Sequence, residues 1–293
     1  MSGNKKRVPG RGSSFLPNDQ QGDLITQMAN LHGFRVSMIS MTTRFVQGYR
    51  YLDRCGEALV RLEDSLEENW IPGQIAPKGG SLKNDLQQMV AQFDSEHLSV
   101  TQSDLTDFEA FHDAACRIYE TLIHCFEIRK INAPVLRAVA QKGCDSIDEA
   151  EAELATYRFG QPHSQLASLI GQQTSFQLTY CAEEETEWNG NAVHRRRRFN
   201  AAAIRQIKQL GFDDRLLKRV RLLPDRQREA LRGLVTLRKQ VPDIPESAVQ
   251  IDLEQSFETE LTSDVFDIAR FLSDTCKWLE EAFETLTNKQ SRQ

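Results

Sequence analysis

The stretch Glu183–Ile204, "EEETEWNGNAVHRRRRFNAAAI", sets four consecutive arginines close behind an acidic run in a chain whose net charge is −6. Read for local propensity, residues 165–188 and 192–239 are two helices separated by "NGN" at 189–191. Successive helical side chains stand about 100° apart, so Arg195, Arg196, Arg197 and Arg198 would point around most of a helix circumference. A helix packed along one side has no room for that, so the arginines must snorkel, meet acids, or project from the body. They would also lie near a helix start, where the dipole disfavours cations. This favours an external anionic partner. The competing reading is internal: "EEETE" at 183–187 can neutralise the arginines within the chain.

Charge is segregated more widely. From His194 to Lys239 there are 15 Lys and Arg against four acids, a local +11 that leaves −17 for the rest. Such a basic segment on an acidic body suits an anionic membrane surface, where each nearby Lys or Arg contributes about 1 kcal/mol. An acidic protein surface is the alternative partner. Nucleic acid fits less well, because the pI is about 5.6 and Phe199 is the sole aromatic beside the run.

Toward the N-terminus, Leu24, Leu31, Met38, Phe45, Leu52, Leu59 and Leu66 recur every seven residues. This spacing predicts a helix over 24–66, about 65 Å long, with those residues as a dimer or bundle seam. "WIPGQIAPKGG" would end it. "LKNDLQQMVAQF" reads as a shorter helix. Ser103 or Thr106 would cap the next, whose stripe is Phe108, Phe111, Ala115, Ile118, Leu122 and Cys125. Ser146 is a candidate cap for "SIDEAEAEL", and "FGQPH" breaks the chain near Pro162. The spacing of Leu253, Phe257, Leu261, Val265, Ile268, Leu272, Leu279 and Leu286 predicts a last helix over about 248–288. No run alternates convincingly enough for a strand. The expected fold is all-α: an elongated antiparallel helical bundle or coiled coil. The expected organisation is a basic tail at 1–18, a long-helix bundle at 19–240, and a linker with an amphipathic C-terminal helix at 241–293.

Motifs for chemistry are missing. The sequence has neither GxGxxG nor GxxxxGK[ST], and no HExxH, GxSxG or CxxC. His124 with a distant carboxylate could form a catalytic pair, yet nothing singles it out. His112 and Cys116 have the spacing for half a metal site, without a second pair to complete it. The six cysteines lack paired spacing and read as reduced thiols. The expectation is a non-enzyme with no catalytic residues, cofactor or metal. No stretch approaches the roughly 20 apolar residues of a membrane span, and "MSGNKKRVPGRGSSFLPNDQQG" lacks a secretory apolar region. A cytoplasmic, peripheral-membrane address is expected.

Two passages, "GEALVRLEDSL" at 56–66 and "EEETEWNGNAVHRRRRFNAAAI" at 183–204, resemble the end of the first helix of BAR domains and the acidic-then-arginine run of inverse-BAR domains. The likeness extends over residues 20–240. It implies a crescent-shaped homodimer that senses or shapes membranes in trafficking. Its lipid-binding residues would be Arg195, Arg196, Arg197 and Arg198, with Lys218, Arg219 and Arg221 as secondary contacts. Without lipid affinity, the same features imply a helical adaptor or complex subunit that binds acidic protein partners.

Overall fold

The structure is a computed structural model and describes residues 33–157, 177–205 and 247–287, apart from positions 47, 49, 67, 68, 77, 78 and 106. Its elements in chain order are β1 (Arg35–Val46), α1 (Tyr51–Ser65), β2 (Trp70–Ala76), β3 (Gly79–Asn84), β4 (Met89–Phe93), β5 (His97–Ser103), α2 (Phe108–Phe126), β6 (Lys130–Cys144), α3 (Ile147–Thr156), β7 (Gln177–Trp188), β8 (Asn191–Arg205), β9 (Ser247–Phe257), β10 (Leu261–Thr262) and α4 (Ile268–Thr287). Among the described residues ten strands form one antiparallel sheet, ordered β2-β3-β4-β5-β1-β6-β9-β8-β7, with β10 paired to β6.

This overturns the all-α reading. The chain is no helical bundle or coiled coil, and the BAR resemblance fails with it, because the quoted passages do not share one type of element. "GEALVRLEDSL" lies mostly in α1, whereas Glu183–Ile204 is a β-hairpin. The expected 24–66 helix contains β1 and α1 instead. In a strand, residues seven apart fall on opposite faces because the period is two. Thus Phe45 is buried in the core while Met38 points to the other face, half-buried. In α1, Leu59 is buried but Leu52 is 67% exposed, and Leu66 is the cap residue. The five described positions therefore form no continuous seam; Leu24 and Leu31 lie outside the described residues.

Other helical expectations divide similarly. "LKNDLQQMVAQF" is the β3–β4 hairpin, whose turn places Gln88 at φ 52°. The 248–288 segment is strand to Phe257 and helix only from Ile268. The expected stripe of α2 is buried, but its cap is Asp107, whose carboxylate accepts from the backbone N–H groups of Glu109 and Ala110. Ser146 caps α3 by accepting from the Glu149 N–H, as its position indicated.

The described helices pack on one sheet face. Ile39, Met41 and Phe45 of β1, Leu136 and Ala138 of β6, and Ile251 and Leu253 of β9 share one apolar core with the buried sides of all four helices. Their strand neighbours point to the opposite face, on which no described helix packs.

The architecture repeats. β1-α1, four strands and α2 give the order β2-β3-β4-β5-β1; β6-α3, β7 to β9 and α4 give β7-β8-β9-β6. The halves meet through the antiparallel β1–β6 pair, which relates them by an approximate two-fold axis. The sequence carries a trace of this: Asp107, Phe111, Cys116 and Glu120 recur at one constant offset as Asp267, Phe271, Cys276 and Glu280. Asp267 also caps its helix, accepting from the Arg270 N–H at 3.0 Å. Tyr119 of α2 packs against Phe266, just before α4, with ring centroids 5.7 Å apart.

Candidate functional site

The arginine run lies in β8. Asn189 (φ 48°) and Gly190 (φ 79°) make a two-residue turn that closes Trp188 onto Asn191, and β7 pairs with β8 in unbroken register down to Gln177 and Ala202. Positive φ at both turn positions matches the twist of the flanking strands, which is why Asn-Gly favours hairpins. Four adjacent arginines on a strand must alternate between faces. The register places Arg195 and Arg197 on the helix side with Phe199, and Arg196 and Arg198 on the helix-free side.

On the helix side, two cations stand where a core would take apolar groups. Arg195 donates through Nε to Glu184 at 2.8 Å, and Arg197 lies 3.3 Å from the same carboxylate. Arg197 Nε donates to Gln255 Oε1 at 2.8 Å, and Gln255 Nε2 donates to the buried Thr275 hydroxyl of α4 at 2.7 Å. The Arg197 guanidinium also sits 4.9 Å from the Trp278 ring centroid. Burial, with Arg195 beside it, holds the Arg197 pKa below the usual guanidinium value. This network ties the hairpin to α4.

The helix-free side aligns residues from neighbouring strands. One row runs Cys181, Arg198, Glu254, Arg137, Ser40 and Thr101 across β7, β8, β9, β6, β1 and β5. Arg198 meets Glu254 at 2.7 Å, and Arg137 makes two bonds to Asp252, at 2.8 and 2.6 Å. Hydrogen bonding to Asp252 raises the Arg137 pKa. Arg196 donates to Cys181 Sγ at 3.2 Å and lies 3.8 Å from Glu183. The side chains of Arg137, Arg196 and Arg198 are 40%, 41% and 39% exposed, whereas those of Asp252 and Glu254 are 8% and 20% exposed. The Arg137 and Arg198 guanidinium groups thus face outward over carboxylates held closer to the sheet, whereas Glu183 beside Arg196 is itself exposed.

Of the anticipated anion-binding residues, the structure therefore splits the arginine run into two faces, and each arginine has an acceptor within the chain. Lys218, Arg219 and Arg221, like the 1–18 tail, lie outside the described residues. Arg137, Asp252 and Glu254 were missed. The signal for the two acids was present in "SAVQIDLEQSF", where Val249, Ile251, Leu253 and Phe257 alternate with Gln250, Asp252, Glu254 and Ser256; the four-residue interval between Leu253 and Phe257 reads equally as helix.

His112 and Cys116 do share a face of α2, with Cys116 Sγ 3.9 Å from His112 Nε2. That nitrogen also lies 3.3 Å from the Ala269 carbonyl. Burial, with Glu120 and Asp113 adding to it, pushes the Cys116 thiol up to about 12, so it stays protonated near neutrality. Among the described residues no group of three His, Cys, Asp or Glu is placed to hold a metal ion. His124 is exposed, and no carboxylate among the described residues forms an ion pair with it. No described helix is long and apolar enough to cross a membrane. Compared with known proteins, the chain matches no family model, and no curated protein is similar to it in sequence.

Proposed function

We propose that this chain is a non-enzymatic docking module that binds an acidic, extended segment of a partner protein on its helix-free sheet face. The observation that carries this reading is the outward arginine set Arg137, Arg196 and Arg198, with Asp252 beneath Arg137, Glu254 beneath Arg198 and Glu183 beside Arg196. Arg196 and Arg198 are two residues apart on one strand, about 7 Å, and Arg137 is two strands from Arg198, about 10 Å. Carboxylates at alternate positions of an extended peptide match the first spacing, and guanidinium forks bind them in two-point fashion.

A membrane surface is the less suitable anion. The three arginines are balanced by Asp252, Glu254 and Glu183, so the patch has little long-range field, and each cation is already paired with an acid of the sheet. Recognition is then short-range and geometric.

The test is fluorescence anisotropy with a labelled peptide alternating glutamate and threonine, beside co-sedimentation with phosphatidylserine vesicles. Binding of the peptide, lost in Arg137→Gln/Arg196→Gln/Arg198→Gln with the melting transition retained, is the expected result. Vesicle pelleting without peptide binding would favour the lipid-docking scaffold instead. Peptide binding unaffected by the triple substitution would overturn the site.

A further inference from the structure

β7 is the outermost described strand on the β8 side, and no described strand lies on its far edge. Its two-residue turn closes on Trp188 and Asn191, which makes them a hydrogen-bonded pair, and bonded pairs alternate along an antiparallel ladder. Thr186, Glu184, Ala182, Tyr180 and Leu178 therefore turn their backbone groups toward β8. Glu187, Glu185, Glu183, Cys181 and Thr179 turn theirs outward. An exposed row of unpaired donors and acceptors is a template for another strand.

The two ends of the sheet differ in how they meet this hazard. β2, at the opposite end, carries Pro72 and a register irregularity between Pro72 and Ile75, both of which hinder strand addition. β7 has no proline, glycine or bulge through twelve residues, and nine of them are exposed. Its guard is charge alone: Glu183, Glu184, Glu185 and Glu187. A second copy of β7 added antiparallel would bring glutamates against glutamates, which is unfavourable. A strand bearing lysine or arginine meets opposite charge in the same geometry. Glu183 and Glu184 already face Arg196 and Arg195, whereas Glu185 and Glu187 have no arginine or lysine partner among the described residues.

We infer that the outer edge of β7 accepts, by strand addition, an extended cationic segment of a partner protein whose alternate basic side chains lie beside Glu185 and Glu187. Main-chain bonds supply the attachment and the glutamates select the sign of charge. This site is separate from the arginine face, and it stands or falls independently of the acidic-peptide reading.

The experiment uses the full chain and three labelled ten-residue peptides: alternating lysine and valine, alternating glutamate and valine, and the lysine peptide N-methylated at every second residue. The lysine peptide should bind saturably, while the glutamate and N-methylated peptides should not. Glu185→Lys/Glu187→Lys should weaken binding about tenfold, given the cost of like charges placed opposite one another. Equal binding of the N-methylated peptide would reduce the contact to charge attraction and overturn strand addition. No binding of the lysine peptide, or binding unchanged in the double variant, would overturn the site.

Discussion

Arg197 is 29% exposed on the helix side of β8 and is held by Glu184 on one flank, Gln255 on the other and the Trp278 ring. A charge is tolerated beside a core only when paired and hydrogen-bonded in this way. A contrasting residue is Cys116, whose thiol is stabilised in its neutral form by burial first and by Glu120 and Asp113 second. Its folded pKa, about 12, lies above the unfolded value of 9.0, so the folded state holds the proton more tightly. That contribution is fully present below the unfolded value and is lost as pH rises toward the folded one. Urea midpoints measured from pH 8 to 11 should fall with pH, and fall less steeply in Cys116→Ala; equal slopes in both proteins would refute the assignment.

Within single elements, the β7–β8 hairpin depends on a turn that few residues can form. Gly190 at φ 79° is in the left-handed region, which a β-branched residue adopts at a cost of about 1–2 kcal/mol. Gly190→Val should therefore destabilise the protein by about that amount in chemical denaturation. Gly56 is the natural control: it is exposed within α1, and an added Cβ meets nothing within 4 Å. Gly56→Ala should stabilise by about 0.5–1 kcal/mol, so the two substitutions have opposite signs. A destabilising Gly56→Ala would show that helix propensity does not govern α1. Local signals were legible at this scale. Ser146 and the stripe of α2 were placed correctly from sequence, because caps and helical periodicity are properties of contiguous residues. "NGN" marked a real reversal, but the elements on either side were misread. "EEETE" and "HRRRR" contain no apolar–polar alternation for a strand pattern to reveal.

For the whole molecule, the decisive feature is that β1 and β6 sit side by side at the middle of one sheet and contribute to one core. Neither half has a core of its own: Phe34, just before β1, packs on Phe283 of α4 with ring centroids 5.3 Å apart. The two halves should unfold together. Near- and far-ultraviolet circular dichroism in urea should give coincident single transitions, and two resolved transitions would show that the repeats are independent folding units.

The sequence by itself determined the local features: the α2 and α3 helices with their faces or caps, the reversal at Asn189–Gly190, and the acids able to meet the arginines. Tertiary structure decided which periodicity prevailed where both were present. Leu253 and Phe257, four apart, fit a helical interval as readily as a strand one, and Met38 and Phe45, seven apart, fit the helical one better; the strand was chosen by pairing with strands remote in sequence. It also brought Arg137, Arg198, Asp252 and Glu254 into one cluster. The physical reason is that a helix satisfies its backbone hydrogen bonds within a few residues, whereas a sheet satisfies them across the whole chain.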